Sequence, residues 1–214
     1  MSLAMGGITS APMNEEDSSR TQFWVKRWEV GKLPWDLGHI PRELVAFLTR
    51  NQASQTGARV LIPGCGSGYE VQAFHEAGYD VTALDFSGPA VAHAREVLGP
   101  LGDKVLHGNF FKHDFGDQKF DVVYERGFLC SIPPTRWPEY AARMADLLAP
   151  GGRLVGLFLY GEEPEPPPFP LSDETALNLL GQSFRLLSSA ESSGDSVPVY
   201  QGMERWQEWE RKKS

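Results

Sequence analysis

This 214-residue chain is poor in cysteine, has no long apolar run and carries no basic stripe. Cys65 and Cys130 are too few for a disulfide framework and read as reduced thiols of a cytoplasmic protein. No apolar stretch approaches the roughly 18 residues of a membrane-spanning helix, so no membrane partner is expected. The formal net charge is −8 without a Lys/Arg-rich face, which argues against nucleic acid as a partner. The first residues lack the charged-then-apolar pattern of a secretory signal. His39, His75, His93, His107 and His113 show no metal-ligand spacing, so no metal is expected. No internal repeat is visible.

What is present fits one α/β domain. Residues 1–20 are small, polar and acidic and are expected to be disordered, leaving 21–214 as a single domain. Aromatic residues at helical spacing predict a helix near 21–30, closed by Gly31 and Pro34, and a second helix follows Pro41 to about Arg50. From Arg59 the chain alternates: strands are expected over 59–63, 80–85, 104–107, 120–125 and 153–160, and helices over 69–78, 88–98 and 136–149. Such alternation makes a mostly parallel sheet with helices on both faces. Pro150-Gly151-Gly152 reads as a stop between helix and strand. The proline-rich stretch 161–170 reads as a stiff extended loop. Beyond it come a helix capped by Ser172 and two short strands near 183–188 and 203–209.

The most informative stretch is VLIPGCGSG, Val60–Gly68, with Asp85 ending the next strand. Gly64, Gly66 and Gly68 let the backbone turn sharply and approach a ligand. A carboxylate about twenty residues further on, at a strand end, accepts hydrogen bonds from ribose hydroxyls in nucleotide-binding α/β folds. A dinucleotide fingerprint would need glycine at 69, where this chain has Tyr69. The G-x-G-x-G spacing instead resembles motif I of class I S-adenosylmethionine-dependent methyltransferases.

A more specific resemblance spans residue 23 to the C-terminus. The segment WVKRWEVGKLPWDLG at 24–38, ALDFS ending at Ser87, GNFF at 108–111, FDVVYERGFLCSIPP at 120–134 and PPPF at 166–169 are together similar to the thiopurine S-methyltransferase family, which includes thiol, halide and thiocyanate methyltransferases. The resemblance implies a Rossmann-like fold with a seven-stranded sheet, S-adenosyl-L-methionine as cofactor and residues 21–40 as a cofactor-capping segment. It implies cofactor contacts from Trp24, Trp28, Trp35, Gly64, Gly66, Asp85, Phe86, Asn109, Phe110 and Arg126. Asn109 and Phe110 would lie beside the adenine. Arg126 would also act in catalysis by favouring an anionic acceptor; its bland alternative is an ion pair with Glu125 or Asp36. Trp28 has a bland alternative too, as a core residue.

The reaction so implied is in-line methyl transfer to a small soft nucleophile: a thiol, thiopurine, halide, thiocyanate or chalcogen anion. The acceptor pocket would be built from the N-terminal segment, residues 126–134 and the loop after Tyr160, with Phe169 facing inward. His39 is a minor candidate for substrate contact, and Cys65 and Cys130 read as packing. A hydroxyl or amine acceptor would call for a base, for which Glu125 is the candidate. A non-catalytic S-adenosylmethionine-binding protein and a nicotinamide oxidoreductase are the other readings. The only partner required is a small-molecule substrate, and a monomer suffices.

Overall fold

The computed structural model describes residues 21–51, 57–162, 167–192, 194, 196–200 and 202–213; the expectation of disorder over 1–20 lies outside them. Two helices lead into the chain, α1 (Thr21–Glu29) and α2 (Arg42–Asn51). The expected alternation follows as β1 (Arg59–Pro63), α3 (Tyr69–Glu76), β2 (Asp80–Asp85), α4 (Gly88–Leu98), β3 (Val105–His107), β4 (Phe120–Arg126), α5 (Trp137–Leu147) and β5 (Leu148–Leu159). α6 (Asp173–Leu180), β6 (Phe184–Glu191) and β7 (Glu204–Arg211) complete it. Ser172 caps α6 as expected, its Oγ accepting from the Thr175 N–H at 3.1 Å.

The strands form one seven-stranded sheet in the order β3-β2-β1-β4-β5-β7-β6. Pairings from β3 through β5 are parallel, and β7 runs antiparallel to both β5 and β6. Each face buries its own apolar layer because strand residues alternate sides. Leu61, Val123, Leu154 and Phe158 pack with α5 and α6 on one face. Val60, Ile62, Val122, Tyr124, Val155 and Leu157 pack with α2, α3 and α4 on the other. The order reverses direction between β1 and β4, and in an open α/β sheet the crevice beyond the carboxyl ends at that point is the ligand site.

Pro150-Gly151-Gly152 is not a break before the strand. Leu148 already pairs with Phe120, and the register shifts before Val122 meets Arg153. A β-bulge there absorbs a proline that cannot donate to the ladder.

Candidate active site

Three loops converge at the β1/β4 crevice. The first follows β1, where Gly64 (φ +61°) and Gly66 (φ +50°) adopt left-handed conformations. A Cβ on Gly64 would stand 2.7 Å from the Phe128 ring, so side-chain bulk is excluded there on two grounds. Gly68 serves packing instead. A Cβ on it would press on Leu98 and Ala94, so this glycine lets α3 and α4 pack closely. The second loop begins at Asp85. Its carboxylate accepts from Gly66 N–H at 3.1 Å and from Ser87 N–H at 2.9 Å, tying the two strand ends together. Burial raises its pKa, and these two N–H donors offset part of the rise.

The third loop leaves β4. Adjacent strand residues point to opposite faces, which separates Glu125 from Arg126. Glu125 is buried on the α5 side, accepting from the Phe128 and Leu129 N–H groups at 2.9 Å each and from the Tyr140 hydroxyl at 2.8 Å. It therefore shapes the loop 127–131 and lies away from the ligand crevice. Arg126 points into the crevice. Its ion partner is neither Glu125 nor Asp36 but Glu70, at 3.9 Å. Its Nε and Nη2, with the neighbouring Tyr124 hydroxyl, are buried without a hydrogen-bond partner among the described residues. Such donors are costly to bury unless a ligand accepts from them.

The N-terminal segment closes the crevice from above. Trp24 and Trp35 stack edge to face with centroids 5.3 Å apart, and the Trp28 ring lies 5.5 Å from that of His93. Asp36 pins this segment to the glycine loop: it accepts from the Ser67 hydroxyl, and from Gly38 N–H at 2.7 Å.

The result is a cavity of about 110 Å³. Of the ten cofactor residues named from the sequence, Trp24, Trp28, Trp35, Gly64, Gly66, Asp85, Phe86 and Arg126 line it. Asn109 and Phe110 do not. Asn109 is exposed, and its Oδ1 accepts from Phe111 N–H at 2.9 Å. Phe110 is a core residue whose ring meets Phe128, with centroids 5.2 Å apart. His39 is exposed on the segment and lines no cavity described here.

A second chamber, about 270 Å³, adjoins the first. The two share Trp24, Trp35, Ser131 and Tyr200. Its walls come from the N-terminal segment, Cys130 and Ser131, the proline-rich stretch at Pro167 and Pro168, and also from Val199 and Tyr200, outside the three regions named for an acceptor pocket. Residues 163–166 lie outside the described residues. Phe169 faces the core instead, its N–H donating to the Cys130 carbonyl at 2.8 Å. Cys130 lines the chamber, and burial pushes its thiol up to about 12, so it stays protonated at neutral pH. Tyr200 and Val199 were invisible to sequence reasoning. They carry no motif, and only tertiary packing brings them to the site.

Buried carboxylates give a pH prediction. Burial raises Asp85, Glu70 and Glu204, and it raises Glu125 to about 7. The folded state then binds protons that the unfolded state releases, so stability falls as pH rises from the ordinary carboxylate range through about 7. Glu125 alone supplies up to about 3 kcal/mol of this trend, at about 1.4 kcal/mol per unit. Denaturant midpoints of the cofactor-free chain should be higher at pH 5.5 than at pH 8; the opposite order contradicts the assignment.

The comparisons with known proteins agree with this geometry. The chain matches the thiopurine S-methyltransferase (TPMT) family profile over residues 19–212. It is 34% identical to a probable thiol methyltransferase 2 of Arabidopsis thaliana, covering 88% of this chain and 84% of the relative. It is 28% identical to a thiopurine S-methyltransferase of Pseudomonas fluorescens (strain Pf0-1), covering 87% and 95%. Its fold is similar to the Burkholderia thailandensis 1,6-didemethyltoxoflavin-N1-methyltransferase, crystallised with 1,6-didemethyltoxoflavin and S-adenosylhomocysteine (TM-score 0.73, 22% identity, 96% of this chain and 94% of that one). No helix among the described residues is long and apolar enough to cross a membrane. The chain is an S-adenosylmethionine-dependent methyltransferase and belongs to the thiopurine S-methyltransferase family.

Proposed function

We propose that the chain methylates the sulfur of a small thiol held in the apolar chamber beside the cofactor cavity. The observation that carries this reading is the chemistry of the chamber wall. Among the described residues it carries no Asp, Glu, His or Lys, and Cys130 and Tyr200 are both pushed well above neutral pH by burial. A hydroxyl or amine acceptor generally needs a base to take its proton, whereas a thiol of near-neutral pKa is already largely ionised. Glu125, the base considered for such acceptors, lies on the other face of the sheet.

The cofactor cavity fits S-adenosylmethionine through its own residues. The Gly64–Gly66 turn admits a ligand against the backbone, and Asp85 would accept from ribose hydroxyls. Arg126 and Tyr124 present buried donors that would satisfy a carboxylate. Trp24, Trp28 and Trp35 offer aromatic faces that attract a sulfonium, and Phe86 completes the wall. When bound, the cofactor supplies an electrophilic methyl: the acceptor sulfur gains it as the sulfonium C–S bond breaks and S-adenosylhomocysteine leaves. The protein contributes alignment, on the order of 7–11 kcal/mol at its upper end, and the tryptophan segment contributes exclusion of water.

In this reading residues 21–214 work as one domain and a monomer suffices, which one sheet running from β3 to β6 supports. Two buried free cysteines support a cytoplasmic setting. The test is S-adenosylhomocysteine formation with thiophenol, an alkanethiol, iodide and thiocyanate, against phenol and aniline. Sulfur acceptors should turn over at least 100-fold faster than their oxygen and nitrogen counterparts. Faster turnover of phenol or aniline refutes the proposal.

A further inference from the structure

Among the described residues, the second chamber has one charged wall residue, Arg27. It stands on α1 between aromatic faces, its guanidinium carbon 4.4 Å from the Phe23 ring centre and 5.9 Å from that of Trp35. Cation–π contacts of this kind hold the group in place without neutralising it. No ion pair or hydrogen bond engages it among the described residues. Burial lowers its pKa, and no acidic neighbour among the described residues offsets that. Arg126 differs on each count: it lies on the cofactor cavity, is paired with Glu70 and does not reach the chamber.

The rest of the chamber's described lining is mostly apolar or aromatic. Phe23, Trp24, Pro34, Trp35, Pro167, Pro168 and Val199 are its apolar lining residues. At about 270 Å³ it is the roomier of the two cavities, beside about 110 Å³ for the first. The wall shared with the cofactor cavity fixes where the reacting sulfur must be. Arg27 is absent from that shared wall, so the ligand's sulfur and its charge are addressed by different parts of the chamber.

We propose that Arg27 is a specificity-determining residue that selects arenethiols bearing a carboxylate or similar anion on the ring. The acceptor's thiol faces Ser131 and Tyr200, and its anionic substituent receives the guanidinium N–H groups, whose planar fork matches a carboxylate. A lone cation at an apolar wall discriminates charge more than it adds affinity for rings in general.

This inference rests on the thiol reading, and the experiment separates the two. Equilibrium binding of 4-(methylthio)benzoate and of thioanisole is measured by calorimetry on the full chain with S-adenosylhomocysteine present, so no turnover is needed. The carboxylated thioether should bind at least tenfold more tightly. Arg27→Met should remove that preference, and Arg27→Lys should retain part of it. Equal affinities in the wild type, or a preference that persists in Arg27→Met, overturn the proposal. Equal loss for both ligands in Arg27→Met also overturns it, because Arg27 would then be only a prop for Phe23 and Trp35. Methylation of 4-mercaptobenzoate is assayed in parallel. Intact binding selectivity without methylation supports Arg27 as the selector and counts against the thiol reading alone.

Discussion

Gly156→Ala is expected to leave no cooperatively folded protein at neutral pH. Gly156 pairs with Glu125 across the β4–β5 ladder, at the strand that delivers Arg126 to the site. Its φ is +151°, and a Cβ there would stand 1.7 Å from the Glu125 carbonyl oxygen and 2.7 Å from the carbonyl carbon. The obstructing atoms are backbone, so no rotamer change relieves the clash, and moving β4 would break the central parallel pairing. A loss above about 4 kcal/mol belongs to this class of core disruption. Gly99→Ala is the control: Gly99 is also left-handed, φ +53°, with nothing within 4 Å of its Cβ position. That variant should cost about 1–3 kcal/mol through backbone conformation alone, since φ +53° with ψ −116° is a region that side chains rarely adopt. Urea titrations of both variants check the contrast, and equal stabilities would contradict the clash.

Arg126→Met should weaken S-adenosylhomocysteine binding about 100-fold, or close to 3 kcal/mol. The guanidinium is largely buried, with 12% of the side chain exposed, and two of its nitrogens lack acceptors among the described residues. A ligand carboxylate meeting those donors forms a desolvated charge pair, whose truncation typically costs about 2–5 kcal/mol. Without Arg126, Glu70 loses the cation that offsets its burial and is pushed further toward the protonated form. Arg126→Lys keeps the charge but not the forked donors and should recover only part of the affinity. The KM for S-adenosylmethionine should move more than the KM for the thiol. The reverse pattern would assign Arg126 to the acceptor.

Much of this architecture can be read from local pattern. Periodicity located the sheet strands and the helices between them, because a two-residue repeat and a helical repeat demand different burial. The glycine turn and Asp85 were legible since their constraints are local: left-handed backbone, and a carboxylate at a strand end. The tryptophan segment was legible by resemblance, and the structure groups Trp24, Trp28 and Trp35 at one cavity.

Other features depend on tertiary packing. Tyr200 reaches both cavities from a short turn late in the chain, with no motif to mark it. Asn109 turns its amide oxygen to its own loop, and Phe110 fills space behind Phe128, which spacing cannot reveal. Glu125 was a readable error: β4 alternates faces, so neighbouring residues 125 and 126 could not share a site. Pro150-Gly151-Gly152 misled because a bulge can hold within a strand what composition marks as a stop.

The most direct test of the β1/β4 crevice as the cofactor site is calorimetric titration of S-adenosylhomocysteine into the full chain and into Asp85→Ala. Saturable one-to-one binding by the wild type, weakened at least 100-fold in the variant, is the predicted result. Equal affinity in both, or no binding by the folded wild type, would contradict that assignment.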